Sequence, residues 1–288
     1  MSPVASALDE AFERLAGSGF ELPNGFVNHG PMACEALDAL GRHDDIDEWA
    51  RRFEHSGAIA VDPVATKDFE WQAALGEYRL LPEWIGYFGR SVDEMGWRPV
   101  VATWVPRLLP SLAVALFHGA IRAAHATRAI TVADTEARRA ELARALAYWA
   151  ARFHPGHTAA PADAGDLHSD VVAVAATAAR RYLAHPDILH LHGITGAMAL
   201  ELFVPHISAE AALDGLAQLR ADEAALFRDS RSVDTVSPAG VPASDLSQAA
   251  SDSGDPHAVK LVEACRRGLA ASGDPVFAAA AERVTGLA

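Results

Sequence analysis

Histidine is the residue type with the widest chemical use in this chain, and it recurs in three similar contexts. His29, His118 and His192 each precede a glycine, and each opens onto, or lies within, an apolar segment that is typical of a buried helix. Neutral imidazole suits iron, copper, zinc and nickel, so several histidines on buried helices favour a metal site. The spacings of 89 residues (29 to 118) and 74 residues (118 to 192) are too unequal for a repeat array.

A second pattern lies in a helix predicted over 111–129. His118, Arg122 and His125 stand there at i, i+4 and i+7, which places them on one face of an otherwise apolar helix. A buried polar group without a partner costs about 1–3 kcal/mol, so these three side chains predict a polar cavity or a bound ligand. The alternative is that this face is exposed to water, and the spacing alone leaves both open.

The segment around His192 has two further features. His190 lies two residues earlier and points to a different face of a helix, so at most one of the two histidines is expected to serve the same centre. Small residues follow, and they allow another backbone or a ligand to approach closely: Gly193, Thr195, Gly196 and Ala197. Close helix packing alone selects the same residues, and the spacing favours that simpler explanation.

Lysine is scarce, since only Lys67 and Lys260 among the 24 basic residues are lysines. His257 and Lys260 are three residues apart near a predicted helix start, so they can share a face. A buried amine loses its charge more readily, and a neutral lysine can act as a base, serve as a ligand, or react with carbon dioxide to form a carbamate. Lys67 lies in the polar run TKDFE and is assigned no special role.

Several classes of protein lack support in this sequence. It contains no HExxH, no Glu-x-x-His pair, no glycine-rich nucleotide motif and no GxSxG elbow. Cys34 and Cys265 form no CxxC pair, which argues against a disulfide framework or a thiolate zinc site. The net charge of −14 argues against a nucleic-acid partner. No leader-like or uninterrupted membrane-spanning stretch is evident, so we expect a cytoplasmic protein without membrane contacts.

Helical periodicity dominates the elements that must position these residues, and strand-like alternation is scarce. We therefore predict an all-α fold, with one compact multi-helix domain over 1–288 and a histidine-lined interior cavity. Segment 228–256 is rich in Ser, Asp, Pro and Ala, and it predicts one long flexible loop or flap. Helices are predicted at roughly 4–16, 31–41, 45–54, 69–78, 82–94, 98–107, 111–129, 134–153, 168–184, 187–204, 208–228, 256–271 and 274–286.

Four segments together resemble the questin oxidase-like family: FVNHGPMACEALDALG, WVPRLLPSLAVALFHGAIRAAHATRAI, LHGITGAMALELFVPHI and DPHAVKLVEAC. They carry, in the same order, the family's Asn-His-Gly-Pro, His-Gly-x-x-Arg-x-x-His, His-x-x-Thr-Gly and His-x-x-Lys motifs. The resemblance extends over most of the chain. It implies a largely helical fold and the oxidative ring opening of aromatic polyketides such as anthraquinones, by Baeyer–Villiger-like oxygenation or by iron-dependent cleavage.

The resemblance also implies a site. A non-haem Fe(II) ion is expected to be held by His29, His118, His192 and His257, with Lys260, as an amine or a carbamate, as a fifth ligand. Dioxygen is the implied co-substrate and a small aromatic molecule the implied substrate. Arg122 is then expected to bind an anionic phenolate or enolate in catalysis. His125 is a second catalytic candidate and the reserve candidate for a metal ligand.

Alternative interpretations stay open at this point. One is a non-catalytic helical protein that carries a hydrophobic aromatic ligand, and another is a Baeyer–Villiger enzyme assisted by NADPH or flavin, which no nucleotide motif supports. NADPH as a reductant for an iron enzyme and a homodimeric assembly are also left open. Six aromatic residues are candidates for a flat-substrate pocket, although a tryptophan-rich core is the more common explanation: Trp71, Tyr78, Trp84, Tyr87, Trp97 and Trp104.

Overall fold

The computed structural model describes residues 6–157 and 165–287, and in these residues it confirms the all-α prediction. Fourteen α-helices are present in this part of the chain. They are α1 (Ala7–Ala16), α2 (Gly30–Ala39), α3 (Ile46–Glu54), α4 (Trp71–Ala74), α5 (Leu81–Met95), α6 (Trp97–Leu108), α7 (His118–Val132), α8 (Glu136–Ala151), α9 (Leu167–Ala184), α10 (Ile188–Phe203), α11 (Ala209–Leu226), α12 (Ala243–Asp252), α13 (Pro256–Ser272) and α14 (Val276–Thr285).

Side-chain caps explain where several helices begin. Asp255 accepts a hydrogen bond from the His257 amide and precedes Pro256, so α13 starts with a capped turn and a residue that has no amide proton to satisfy. Asp187 caps α10 in the same way by accepting from the amide of His190. Each cap accepts from the amide of a histidine in the first turn, so it also fixes where that side chain leaves the backbone.

The helix predicted over 111–129 was wrong at its start, because α7 begins only at His118. Three consecutive residues before it have left-handed backbones, with φ of 48° at Ala115, 56° at Leu116 and 64° at Phe117. This conformation costs roughly 1–2 kcal/mol per non-glycine residue, and local sequence does not predict it. The Phe117 ring packs instead against Gly196, where an added Cβ would lie 2.5 Å from a ring carbon.

The single long loop predicted over 228–256 was also wrong in part. Residues 243–252 form α12, which packs against α13 and α14. Leu246 and Ala250 are buried one turn apart and provide its apolar stripe. Two apolar side chains among serine, aspartate and alanine leave too weak a periodicity to detect in the sequence.

Four helices surround the centre of interest. Helices α2, α7, α10 and α13 pack against one another, and α8 packs against α7. A contiguous apolar core extends through all of them. Away from this group, Trp71, Trp84, Tyr87 and Trp104 contact one another edge to face, which agrees with a tryptophan-rich core.

One stretch among the described residues, Ile188–His206, has the length and hydropathy of a helix that could cross a membrane, which by itself is weak evidence. Of that stretch, 67% is buried inside the protein, as in a core helix.

Candidate metal centre

Four histidines from four separate helices meet at one point. His29, His118, His192 and His257 each offer a ring nitrogen, and these four atoms lie within 4.8 Å of one another. The Nε2 atom of His118 lies 2.7 Å from that of His29 and 3.2 Å from that of His192. The structure thus brings together all four histidines that were predicted as metal ligands.

A fixed turn places His29 at the start of α2. The buried side chain of Asn28 donates to Ser18 Oγ at 3.1 Å and to the Gly19 carbonyl at 2.9 Å, and its own oxygen accepts from the Gly30 amide at 3.0 Å. Gly30 is required by packing, since a Cβ there would lie 2.7 Å from Phe53 Cβ. Asn28 was not assigned a role from sequence, although it lies in the Asn-His-Gly-Pro motif.

Backbone carbonyls set the tautomers of two other histidines. His118 Nδ1 lies 2.5 Å from the Ala115 carbonyl, and His192 Nδ1 lies 2.7 Å from the Ile188 carbonyl. Carbonyl oxygens only accept, so both Nδ1 atoms must carry the proton. In the neutral ring each Nε2 then bears a free lone pair, and these two Nε2 atoms lie 3.2 Å apart.

His257 is oriented by a carboxylate. Its Nδ1 donates to Asp255 Oδ1 at 3.0 Å, and this hydrogen bond is the main reason that the pKa of Asp255 lies below its usual range. A histidine whose second nitrogen donates to a carboxylate is the common arrangement around protein-bound metals, because it fixes the ring and makes the free nitrogen more basic.

Three of the four histidines are held in the neutral form that a metal requires. Burial is the largest cause, with the nearby charge of Lys260 next, and together they lower the pKa of His118 to about 3. The same two causes hold the pKa values of His29 and His192 well below their usual range. Protons therefore do not compete for these nitrogens at neutral pH.

Lys260 lies on α13, one turn after His257, and is fully buried. Burial lowers the pKa of its amine to about 7. Its Nζ has no hydrogen-bond partner among the described residues. A buried lysine without a partner is costly, so this side chain calls for a ligand, a modification or an ion beside it.

These residues fit a transition-metal ion. Imidazoles at right angles on one ion lie about 3 Å apart when the metal–nitrogen bonds are about 2.1 Å. The observed nitrogen separations of 2.7 and 3.2 Å are near that value. Lone pairs that face each other this closely need a shared cation or proton, and the depressed pKa values disfavour the proton.

A cavity of about 740 Å³ lies beside the four histidines. This volume lies within the range of about 300–1,000 Å³ that is common for small-molecule sites. Apart from these four histidines, the residues that line the cavity fall into an apolar group and a polar group. The apolar set is Gly25, Phe26, Val27, Val114, Ala115, Leu116 and Ile188, and the polar set is Glu21, Tyr148, Arg152 and His154.

The structure does not bring Arg122 and His125 into this cavity. Arg122 forms a buried two-pronged ion pair with Glu141, at 2.7 and 2.8 Å, and His125 contacts the buried carboxylate of Glu35. They lie about 6 and 10 Å farther along α7 than His118, so they enter the core between helices rather than the cavity. The expectation that they need partners was sound, but the partners are buried carboxylates.

His190 serves a different contact from His192, as their spacing predicted. Its Nε2 lies 2.8 Å from Ser230 Oγ and its Nδ1 lies 2.8 Å from Asp187 Oδ1, in the order of a hydrolase triad. The adjacent amides are already engaged, because Ser230 donates to the Phe227 carbonyl and Arg231 donates to His185 Nε2. Without free amides for an oxyanion, this cluster tethers the chain after α11 to the start of α10.

The glycines of α10 are explained by packing. A Cβ at Gly193 would lie 2.9 Å from Glu223 Oε1, and one at Gly196 would overlap Phe117. Lys67, for its part, is exposed on the surface.

Comparisons with known proteins yield no relative, since no family model, curated protein or solved structure matches this chain.

Proposed function

We propose that this protein is a non-haem iron-dependent oxygenase that opens a ring of an aromatic polyketide or anthraquinone-type small molecule, with dioxygen as co-substrate. The observation that carries the proposal is the convergence of four histidine ring nitrogens beside a cavity large enough for such a molecule. The resemblance of the same segments to the questin oxidase-like family supplies the reaction class. When bound, ferrous iron would activate dioxygen for attack on the ring.

Ligand number favours an open catalytic ion over a closed structural one. Structural zinc sites are closed by four ligands, whereas this centre also has the buried, unpartnered amine of Lys260 beside it. A neutral Lys260 amine can attack carbon dioxide, forming an N–C bond and releasing one proton to give an anionic carbamate. That carbamate would add to the four histidine ligands an oxygen ligand, which a carboxylate provides in other iron sites.

Substrate binding is assigned to the cavity rather than to Arg122. The apolar side chains Phe26, Leu116 and Ile188 provide surfaces for a flat ring next to the histidines. Dioxygenation would place both oxygen atoms in the product and need no reductant. Monooxygenation would reduce the second oxygen atom to water and require two electrons from a donor such as NADPH.

Iron content tests the proposal directly. Untagged wild-type protein, prepared without chelators and reconstituted anaerobically with ferrous iron, should contain about one iron per chain by inductively coupled plasma mass spectrometry. The variants H118A and H192A should lose the iron. H190A is the matched control, because His190 is a buried histidine on the same helix that contacts Asp187 and Ser230 instead. Full iron occupancy in H118A and H192A would refute the ligand set.

A second candidate function is favoured by the cavity itself. Its apolar lining suits a protein that carries a hydrophobic aromatic ligand without transforming it. Protein that holds no metal after reconstitution, yet binds an anthraquinone tightly and consumes no oxygen with it, would support the carrier. Oxygen uptake by the iron-loaded protein that depends on an aromatic substrate and is absent in H118A would support the oxygenase.

A further inference from the structure

A compact polar cluster lines the cavity separately from the four histidines. Tyr148 and Arg152 lie one turn apart at the end of α8, and Glu21 reaches them from the segment that leads to His29. Arg152 Nε donates to Glu21 Oε1 at 2.8 Å and Nη2 donates to Oε2 at 2.5 Å. The Tyr148 hydroxyl donates to Glu21 Oε1 at 3.1 Å.

Several contacts hold this cluster in place. The Arg152 guanidinium stacks on the Tyr78 ring, 3.8 Å from its centroid. The Tyr148 ring is fully buried and stacks on Phe20 at 5.5 Å. Glu21 is fixed by its backbone as well, through an antiparallel bridge to Val27. Groups held this firmly lose little freedom when a ligand binds, so their hydrogen bonds contribute more fully to affinity.

The cluster retains hydrogen-bonding capacity. A carboxylate offers about four acceptor positions, and the described contacts to Glu21 use three. The guanidinium has five N–H donors, and Glu21 takes two of them. An acceptor and a donor therefore remain side by side at the cavity wall. Because the pair is electrically neutral, it suits a group that both donates and accepts rather than a full anion.

We propose that Glu21, Tyr148 and Arg152 form a subsite for a neutral phenolic hydroxyl of the aromatic ligand. The hydroxyl donates to Glu21 and accepts from Arg152, and this fixes which edge of the ring system faces the histidines. The subsite gives the substrate class as a phenol, and in that sense the inference rests on the proposed function. Arg152 thus takes the substrate-binding role that the sequence suggested for Arg122, but it binds a neutral hydroxyl instead of an anionic phenolate.

Three probes of equal ring size test the subsite: 2-naphthol, 2-methoxynaphthalene and 2-naphthoate. The phenol donates and accepts, the ether only accepts, and the carboxylate is an anion. Equilibrium dialysis with the wild type should show 2-naphthol bound about tenfold more tightly than the other two, as expected for one charge-assisted hydrogen bond. Iron-free and iron-loaded protein should show the same preference, because the subsite is separate from the metal ligands.

Two variants separate the roles of the pair. R152Q and E21Q should both reduce the preference for 2-naphthol over its methyl ether to about twofold or less. E21Q should in addition bind 2-naphthoate more tightly than the wild type does, because it leaves the Arg152 charge uncompensated. R180Q is the matched control, since Arg180 and Asp274 form an ion pair of almost equal exposure, 34% and 24%, against 35% and 22% for Arg152 and Glu21.

Each outcome decides the inference. A wild type that binds the phenol no better than its ether, or binds none of the probes, overturns it, and so do E21Q and R152Q variants that retain the full preference. Iron content measured on the same samples judges the proposed function separately. Protein that holds no iron but retains the phenol preference would support the subsite and contradict the proposed oxygenase. Iron-loaded protein without the preference would contradict the subsite and support the proposed metal centre.

Discussion

The hydrogen bonds of Nδ1 orient three of the four histidines for metal binding through Nε2. The carbonyls of Ala115 and Ile188 accept from the Nδ1 atoms of His118 and His192, and the carboxylate of Asp255 accepts from that of His257. Each of these rings therefore turns its Nε2 away from its partner. None of these acceptors can be identified from sequence, because two are backbone atoms and the third also serves as a helix cap.

Lys260 gives a sharp prediction at the residue scale, because Lys67 is the chain's only other lysine. With a pKa of about 7, about half of the Lys260 amine is neutral at neutral pH, so it should form a carbamate. Zinc-loaded protein in ¹³C-bicarbonate should give a carbamate signal by ¹³C NMR. The signal should disappear in K260M and persist in K67M. A signal that survives K260M would place the modification elsewhere.

Two residues show why the site could be predicted only in part. The spacing of Arg122 and His125 correctly indicated polar groups on a buried helix, but their partners Glu141 and Glu35 lie 19 and 90 residues away along the chain. Periodicity shows that a side chain is buried and does not show what it meets. The four histidines were predicted as a set from four motifs considered together, rather than from local spacing.

Elements with strong helical periodicity were predicted well, including α7 from His118 onward and α10 almost end to end. The left-handed segment over 115–117 could not be predicted, because it depends on a contact between Phe117 and Gly196, which lies 79 residues later (196 − 117). Long-range packing outweighs the local preference of alanine and leucine for right-handed helix there. Helix α12 was missed because the apolar periodicity of its own sequence is weak.

The contact between α10 and the left-handed segment gives a prediction at the element scale. G196A places a Cβ about 2.5 Å from the buried Phe117 ring, so Phe117 must move and carry the Ala115 carbonyl and His118 with it. We expect a loss of about 1–3 kcal/mol in unfolding free energy and weaker metal binding. Denaturant titration and iron content measure the two effects.

Gly89 offers the matched control for that substitution. It lies within α5 and has no atom within 4 Å of an added Cβ. G89A should therefore gain up to about 1 kcal/mol from helix propensity and retain the metal. Equal effects of G196A and G89A would mean that the packing of α10 on the left-handed segment does not control His118.

At the scale of the whole molecule, a buried carboxylate makes stability depend on pH. Burial raises the pKa of Glu223 from 4.5 to about 7, although Arg181 donates to it at 2.8 Å. The folded state then holds this proton more tightly than the unfolded state, so the stability that it contributes is complete below pH 4.5 and lost as pH rises past 7. At 1.36 kcal/mol per pKa unit, the loss is about 3 kcal/mol.

E223Q isolates this contribution, because glutamine remains neutral at every pH. Between pH 4.5 and 7.5 the wild type should lose about 3 kcal/mol of unfolding free energy relative to E223Q, measured by urea denaturation at both values. E210Q, which alters an exposed carboxylate on the same helix, should follow the wild type. Parallel pH profiles for the wild type and E223Q would contradict the assignment.

The four histidines are separated by 89, 74 and 65 residues (29 to 118, 118 to 192 and 192 to 257), so no two of them lie close together in the unfolded chain. During synthesis the full donor set cannot exist until residue 257 has left the ribosome and the helices have packed. Any metal ion held there must therefore be acquired by the finished fold. The folded cavity, rather than the intrinsic order of affinities that a loose chain would follow, then selects the ion.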